Sequence, residues 1–298
     1  MNPRPQPVAS GEDWHLHTHL SDGFAHPHAL VTRAGELGLR RIAITDHDCL
    51  DAVRDARVRA RATQLEIELI TGIEIDCRLE GQGVEILGYA FDPENEPLRA
   101  RLRQIQADRR ARLRFFAERL AREGAPVEIE QLLGGPARAY LKVHLYRALA
   151  AGGRTYAGGY PEFSADLRRF GDAPAVRTPS LDEAVTLVRG AGGFALLAHP
   201  LYYRERIGLD RLVAAGRAAG CLGAEFSYPY DFGPRGWAPE RVRDGLRELR
   251  TAIRASFPDG AWLTRGTDCH DLAEWEPRLA WLSRWERELG AAPGPAAL

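Results

Sequence analysis

Residues 13–23 read DWHLHTHLSDG, a short mixed run that ends in turn chemistry at Ser21-Asp22-Gly23. The pattern predicts a strand running into a loop. In His15-x-His17 the two imidazoles sit two residues apart on an extended chain, so both point to one face. Outward from this stretch, Pro27 opens a helical pattern with Leu30, Val31, Ala34 and Leu37 on one side and Gly38 at its end. Residues 41–45 (RIAIT) read as a buried strand, with Asp46-His47-Asp48 at its C-terminal end. A helix over about 50–63 leads to a strand over 68–73 that delivers Glu74, and 84–89 (VEILGY) forms a fourth strand. Strands alternating with amphipathic helices predict a parallel α/β arrangement.

That rhythm breaks at about residue 97. A long Arg-rich helix to 123, further helical pieces and the glycine pairs Gly152-Gly153 and Gly158-Gly159 follow, with no strand until 194–198. The β/α pattern then resumes: helix 180–191, strand 194–198, helix 209–219, strand 222–226, helix 239–256 and strand 261–265. The expected organisation is one barrel domain, 1–96 and 178–298, carrying a mainly helical insertion or cap over 97–177. No internal repeat or low-complexity segment stands out, and the tail 290–298 (GAAPGPAAL) reads as frayed.

Composition narrows the class. The 298 residues are 45% hydrophobic and 27% charged, which suits a globular enzyme and not a disordered or collagen-like chain. Forty Lys plus Arg against 41 Asp plus Glu leave no global field to recruit duplex DNA or a membrane, so any anion must meet a local site. Lys142 is the sole lysine. Cys49, Cys77, Cys221 and Cys269 are scattered, which argues against a disulfide framework and for a reducing, cytoplasmic setting. The start, MNPRPQPVASGEDW, has no apolar signal core, and no run reaches the length of a membrane span.

Histidine placement carries the chemistry. Of nine histidines, five fall between His15 and His28. Metal-competent residues follow apolar runs at His15-x-His17 with Asp22, Asp46-His47, Glu74, His199-Pro200 and Asp268-x-His270. In a parallel α/β barrel the strand C-termini share one rim, so residues far apart in sequence converge there. Each piece alone has an ordinary reading: a capping Asp, a solvated Glu, a strand end. Together they predict a metal site.

The order D-x-H-x-H-(x)4-D-G, I-T-D-H-D, G-I-E, A-H-P and G-T-D-x-H resembles the polymerase and histidinol phosphatase (PHP) superfamily. The nearest subgroup is that of the 3',5'-nucleotide bisphosphate phosphatases and the related 5'-3' exoribonuclease. The resemblance implies a distorted (β/α)7 barrel holding two to three divalent ions, manganese first, with zinc or iron as alternatives. By carry-over His15, His17, Glu74 and Asp268 hold the first ion, Glu74 bridges to a second beside Glu85 and His199, and Asp22, His47 and His270 hold the third. Glu74, His199 and Asp268 are the residues expected closest to the chemistry. Clustered cations of this kind lower the pKa of a bridging water and polarise phosphoryl oxygens for in-line attack. Asp46 is expected to orient a ligand rather than bind metal.

The resemblance also sets expectations for the substrate. His144, Arg147 and Lys142 in the insertion are expected to contact it, a small phosphorylated molecule such as a nucleotide or short RNA. His19, His26 and His28 are expected to be solvated or to act behind the ligands. Three departures stand out. Glu85 occupies a place where the family has histidine, a change that favours harder ions. Leu201-Tyr202-Tyr203 follows A-H-P where G-R-Y is usual, so a phosphate-holding arginine is missing, with Arg204 or Arg206 as candidate replacements. Ser227-Tyr228-Pro229-Tyr230-Asp231-Phe232 replaces a serine- and histidine-containing segment. Another small-metabolite phosphatase, or a non-catalytic metal-binding module, stays open at this point, and the oligomeric state is not legible.

Overall fold

A computed structural model describes residues 11–134, 138–232 and 236–289. The readings of the first ten residues and of the tail 290–298 therefore fall outside the described residues. Seven strands form one sheet in chain order: β1 (Glu12–Leu16), β2 (Arg41–Ile44), β3 (Glu68–Leu79), β4 (Gln82–Tyr89), β5 (Phe194–Leu197), β6 (Gly223–Ser227) and β7 (Trp262–Arg265). The two edges meet where Leu16 bridges Cys269 in parallel and His17 N–H donates to Cys269 O at 3.1 Å. The result is a distorted (β/α)7 barrel.

The strictly parallel arrangement needs one correction. β4 runs antiparallel to both β3 and β5. No helix intervenes between β3 and β4; the chain reverses at Glu80-Gly81, both with positive φ (50° and 82°), the conformation that a tight hairpin requires. β3 also runs past the predicted 68–73 to Leu79, so Glu74 lies within the strand rather than beyond its end. One further helix, Leu272–Leu289, follows the last strand and was not expected. The helix expected over about 50–63 is split at Asp55 into Asp51–Arg54 and Ala56–Gln64, while Leu209–Ala219 and Pro239–Ser256 are as predicted.

Period-two alternation places the site. Trp14, Ala43, Leu87, Tyr89, Leu196 and Ala198 pack into one buried cluster, with Ile70 against it. Two and three steps beyond Ile70 on the same face of β3 stand Glu74 and, next, Asp76. Because β4 runs the other way, its apolar end lies with this floor and Glu85 rises beside Asp76, its register partner. The outward faces pack on the surrounding helices, where Ile42, Ile44, Ile73 and Ile75 are fully buried.

The long helix Glu96–Arg122 leads into a second apolar cluster, including Leu113, Phe116, Leu120, Leu145, Leu149 and Phe163. Its members all fall between residues 113 and 173, so this segment buries a core of its own over the barrel rim. Among the described residues, no helix is long and apolar enough to cross a membrane.

Candidate active site

Glu74 is the hub. Its Oε2 lies 3.3 Å from the Nε2 of each of His15, His17 and His47, and its Oε1 lies 2.9 Å from His199 Nε2. Asp268 Oδ1 stands 3.0 Å from His17 Nε2 and 3.4 Å from His15 Nε2. Asp22 reaches His270 Nε2 at 3.0 Å and His47 Nε2 at 3.6 Å. Glu85 Oε2 sits 3.4 Å from His199 Nε2 and accepts the Tyr203 hydroxyl at 2.5 Å. All nine predicted ligands thus converge, and they fall into overlapping groups of three with ligand atoms within 4.8 Å of one another.

Several side chains support these ligands from behind, and of them only Asp46 was expected to. Glu225, fully buried in β6, faces His15 Nδ1 at 3.0 Å and accepts the His199 backbone N–H at 2.9 Å. A carboxylate behind an imidazole fixes the tautomer and leaves Nε2 as the donor toward an ion. Gly266 makes room for this contact, since a Cβ there would come 2.1 Å from Glu225 Oε1 and 2.3 Å from His15 Cβ. Asp76 lies 3.1 Å from His47 Nδ1 and takes an Arg109 N–H at 2.7 Å. Arg109, buried on the long helix, also pairs with Asp48 and reaches Ala139 O, tying the helical segment to the strand ends. Asp46 accepts from Thr18 N–H, Thr18 Oγ1 and Ser21 Oγ; Ser21 in turn touches His17 Nδ1 at 3.3 Å. Tyr228 donates to Asp268 at 2.6 Å. His199, Asp268 and Asp48 all adopt positive φ, strain of the kind that clusters at functional sites.

Electrostatics shows what the cluster wants. Burial alone would push these imidazoles down, but Glu225, Glu74 and Asp268 hold His15 well above its ordinary value. Against the same burial, the surrounding carboxylates hold His17 and His199 up to about 9. Burial works against ionising Glu74 and Asp268, yet the histidines hold both carboxyls well below the usual range. The carboxylates demand positive charge at their centre, supplied by protons on the histidines or by cations. A donor set of imidazole nitrogens and carboxylate oxygens fits divalent ions such as zinc, manganese or iron.

Placement of the substrate-side residues is mixed. Lys142 and Arg147 line a cavity of about 660 Å³ together with Asp22, His47 and His270. Arg147 donates to the Asp22 and Gly23 carbonyls, and its guanidinium lies 3.8 Å over the Phe24 ring. Arg204 is not brought to the cluster, because Glu248 holds it at 2.7 Å. Arg206 instead lines a smaller cavity beside Asp76 and Glu85. His26 and His28 are exposed, and half-buried His19 stacks on His26 at 5.2 Å.

His144 is buried rather than open to the cavity, and its Nδ1 accepts the Leu141 N–H at 2.9 Å, capping its helix. Burial first, then Arg138 and Arg147, push its pKa down to about 4. A histidine held neutral in this way binds its proton more readily when unfolded. Its stabilising contribution is present above about pH 6.5 and is lost as pH falls toward 4, a difference of about 3 kcal/mol. His144→Gln keeps an acceptor for the cap and removes the titration. Its melting temperature is expected to fall less than that of the parent between pH 6.5 and 4; parallel curves would refute the assignment.

A barrel whose rim gathers such a donor set beside an open cavity is that of a metal-dependent phosphoesterase. Residues 13–134 match the PHP domain family. A 5'-3' exoribonuclease of Salmonella typhimurium is 34% identical over 209 residues, which cover 68% of this chain and 70% of that protein. A 3',5'-nucleoside bisphosphate phosphatase of Chromobacterium violaceum is 30% identical over 228 residues, 72% of this chain and 75% of that protein. A solved structure described as a metal-dependent phosphoesterase, from Bifidobacterium adolescentis, superposes with a TM-score of 0.69 at 29% identity and covers 89% of each chain. The chain belongs to the PHP family.

Proposed function

We propose that this enzyme hydrolyses phosphomonoesters, with 3',5'-bisphosphonucleosides and short oligonucleotide ends as its substrates. The observation that carries this reading is the cavity of about 660 Å³ that opens directly onto Asp22, His47 and His270 and is walled by Lys142, Arg147 and Tyr146. It joins cationic groups for a second phosphate to aromatic surface for a base. Residues 97–177 act in this reading as a cap inserted in the barrel of 1–96 and 178–298.

Two to three divalent ions, manganese first, would be held by His15, His17, Glu74 and Asp268, by Glu85 and His199, and by Asp22, His47 and His270. When bound, such ions supply Lewis acidity, acidifying water and polarising phosphoryl oxygens. The chain's own residues do the rest. Glu225 sets the His15 tautomer, Ser21 and Asp46 hold the loop behind His17, and Arg147 pins the Asp22 loop while presenting charge to the cavity. The helical segment contributes Lys142, Tyr146, Arg147 and Tyr160 to the cavity wall.

A screen of the manganese-loaded protein against nucleotides and sugar phosphates tests the substrate class. If the cap reads the second phosphate, Arg147→Ala lowers kcat/KM for adenosine 3',5'-bisphosphate by about 10-fold more than for a simple monoester, the value of one charge-assisted contact. An unchanged preference would remove the cap from specificity. A preference for phosphorylated sugars would favour the other small-metabolite reading, to which the altered segment after His199 also lends itself.

A further inference from the structure

Among the described residues, the large hydrophobic side chains left open to solvent are Phe24 (62% exposed), Tyr202 (41%) and Leu222 (37%). The first two flank the ligand cluster on different sides. Phe24 N–H donates to His270 O, and the residue lines the cavity beside Asp22. Tyr202 N–H donates to His199 O at 3.1 Å, and its ring lies 5.4 Å from the rings of both His199 and Tyr228. One ring therefore borders the Asp22–His270 group of ligands, the other the Glu74–Glu85–His199 group.

Tyr202 is held firmly. Tyr230 and Trp237 also meet it almost perpendicularly, at 5.3 and 5.7 Å, and Tyr228 and Tyr230 beneath it are buried. Among the described residues, the neighbouring cations are already engaged: Arg204 by Glu248, Arg278 by Glu274, and Arg241 by Glu205 and the face of Trp237. Arg206 lies toward the Tyr203 ring. This flank thus offers a fixed aromatic surface rather than a guanidinium fork. Such a surface takes up a planar ring at little entropic cost.

We propose that Tyr202 is a stacking subsite for a second nucleobase, on the far side of the scissile phosphorus from the base in the cap-side cavity. This rests on the nucleotide reading above. A mononucleoside fills one flank; a dinucleotide, or the end of a short strand, fills both. Hydrolysis of the linking diester needs only water: the bond from phosphorus to the leaving sugar oxygen breaks, one to the water oxygen forms, and a proton passes to the departing oxygen.

Stacking of a base on an aromatic side chain is worth about 1–3 kcal/mol, so roughly 10-fold in affinity is at stake. The test compares kcat/KM of the manganese-loaded enzyme for a 5'-phosphorylated dinucleotide, its two singly abasic analogues and adenosine 3',5'-bisphosphate. In Tyr202→Ala, kcat/KM for the dinucleotide is expected to fall about 10-fold more than for the bisphosphate, mainly through KM. Tyr202→Phe restores the preference, and one of the two abasic analogues loses its sensitivity to the substitution. Equal losses on dinucleotide and bisphosphate, or no loss on either, overturn the subsite while leaving the nucleotide reading intact. Hydrolysis of neither by the parent enzyme overturns the nucleotide reading and the subsite with it.

Discussion

Glu74→Ala is expected to lower turnover by about 10³-fold or more and to reduce the number of divalent ions held per chain. The carboxylate faces four imidazoles, at 2.9–3.3 Å, so no neighbouring oxygen can replace it in all of those relations. Lewis-acid stabilisation of phosphoryl transfer is worth several kcal/mol, which converts to about that factor in rate. The fold is expected to survive, because the histidines left without a carboxylate can release their protons. Metal analysis alongside steady-state kinetics checks both halves. Near-parental activity would mean that the cluster is not the reaction centre.

Glu225→Ala is expected to weaken metal binding by about 10–100-fold without removing any residue that would touch an ion. The substitution frees His15 to take the wrong tautomer and leaves the His199 N–H without its acceptor. An unpaired buried donor costs about 1–3 kcal/mol, so the melting temperature should fall as well. Glu225→Gln, which keeps one acceptor oxygen, should lie between the two. Manganese titration separates the effects, since a purely structural role would lower stability and leave the affinity of the folded protein unchanged.

Most of the fold and the converging residues were legible in the sequence for a physical reason. Apolar runs ending in His, Asp or Glu mark strands that must emerge from a core, and barrel geometry sends those ends to one rim. The antiparallel β4 was less legible, because a buried strand reads alike in either direction and the turn at Glu80-Gly81 lacks a strong hairpin signature. Glu225 and Asp76 escaped notice as single carboxylates inside strands. Period-two alternation put them inward, but only the closed barrel shows that they meet His15 and His47. The interruption of the otherwise apolar run 222–226 (LGAEF) by Glu225 was the available signal. Arg204 was misplaced because Arg204 and Arg206 stand on a short helix whose pairing with Glu248, remote in sequence, decides which guanidinium is engaged. His144 was expected to contact the substrate, whereas its imidazole is buried with Nδ1 accepting the Leu141 N–H at the start of its helix.

The central claim is that this cluster holds divalent ions on which phosphoester hydrolysis depends. Metal content per chain, measured with turnover of a phosphomonoester before chelation, after it and after return of manganese, tests that most directly. Two to three ions per chain, activity lost with them and regained with manganese, is the expected result; full activity in metal-free protein would contradict it.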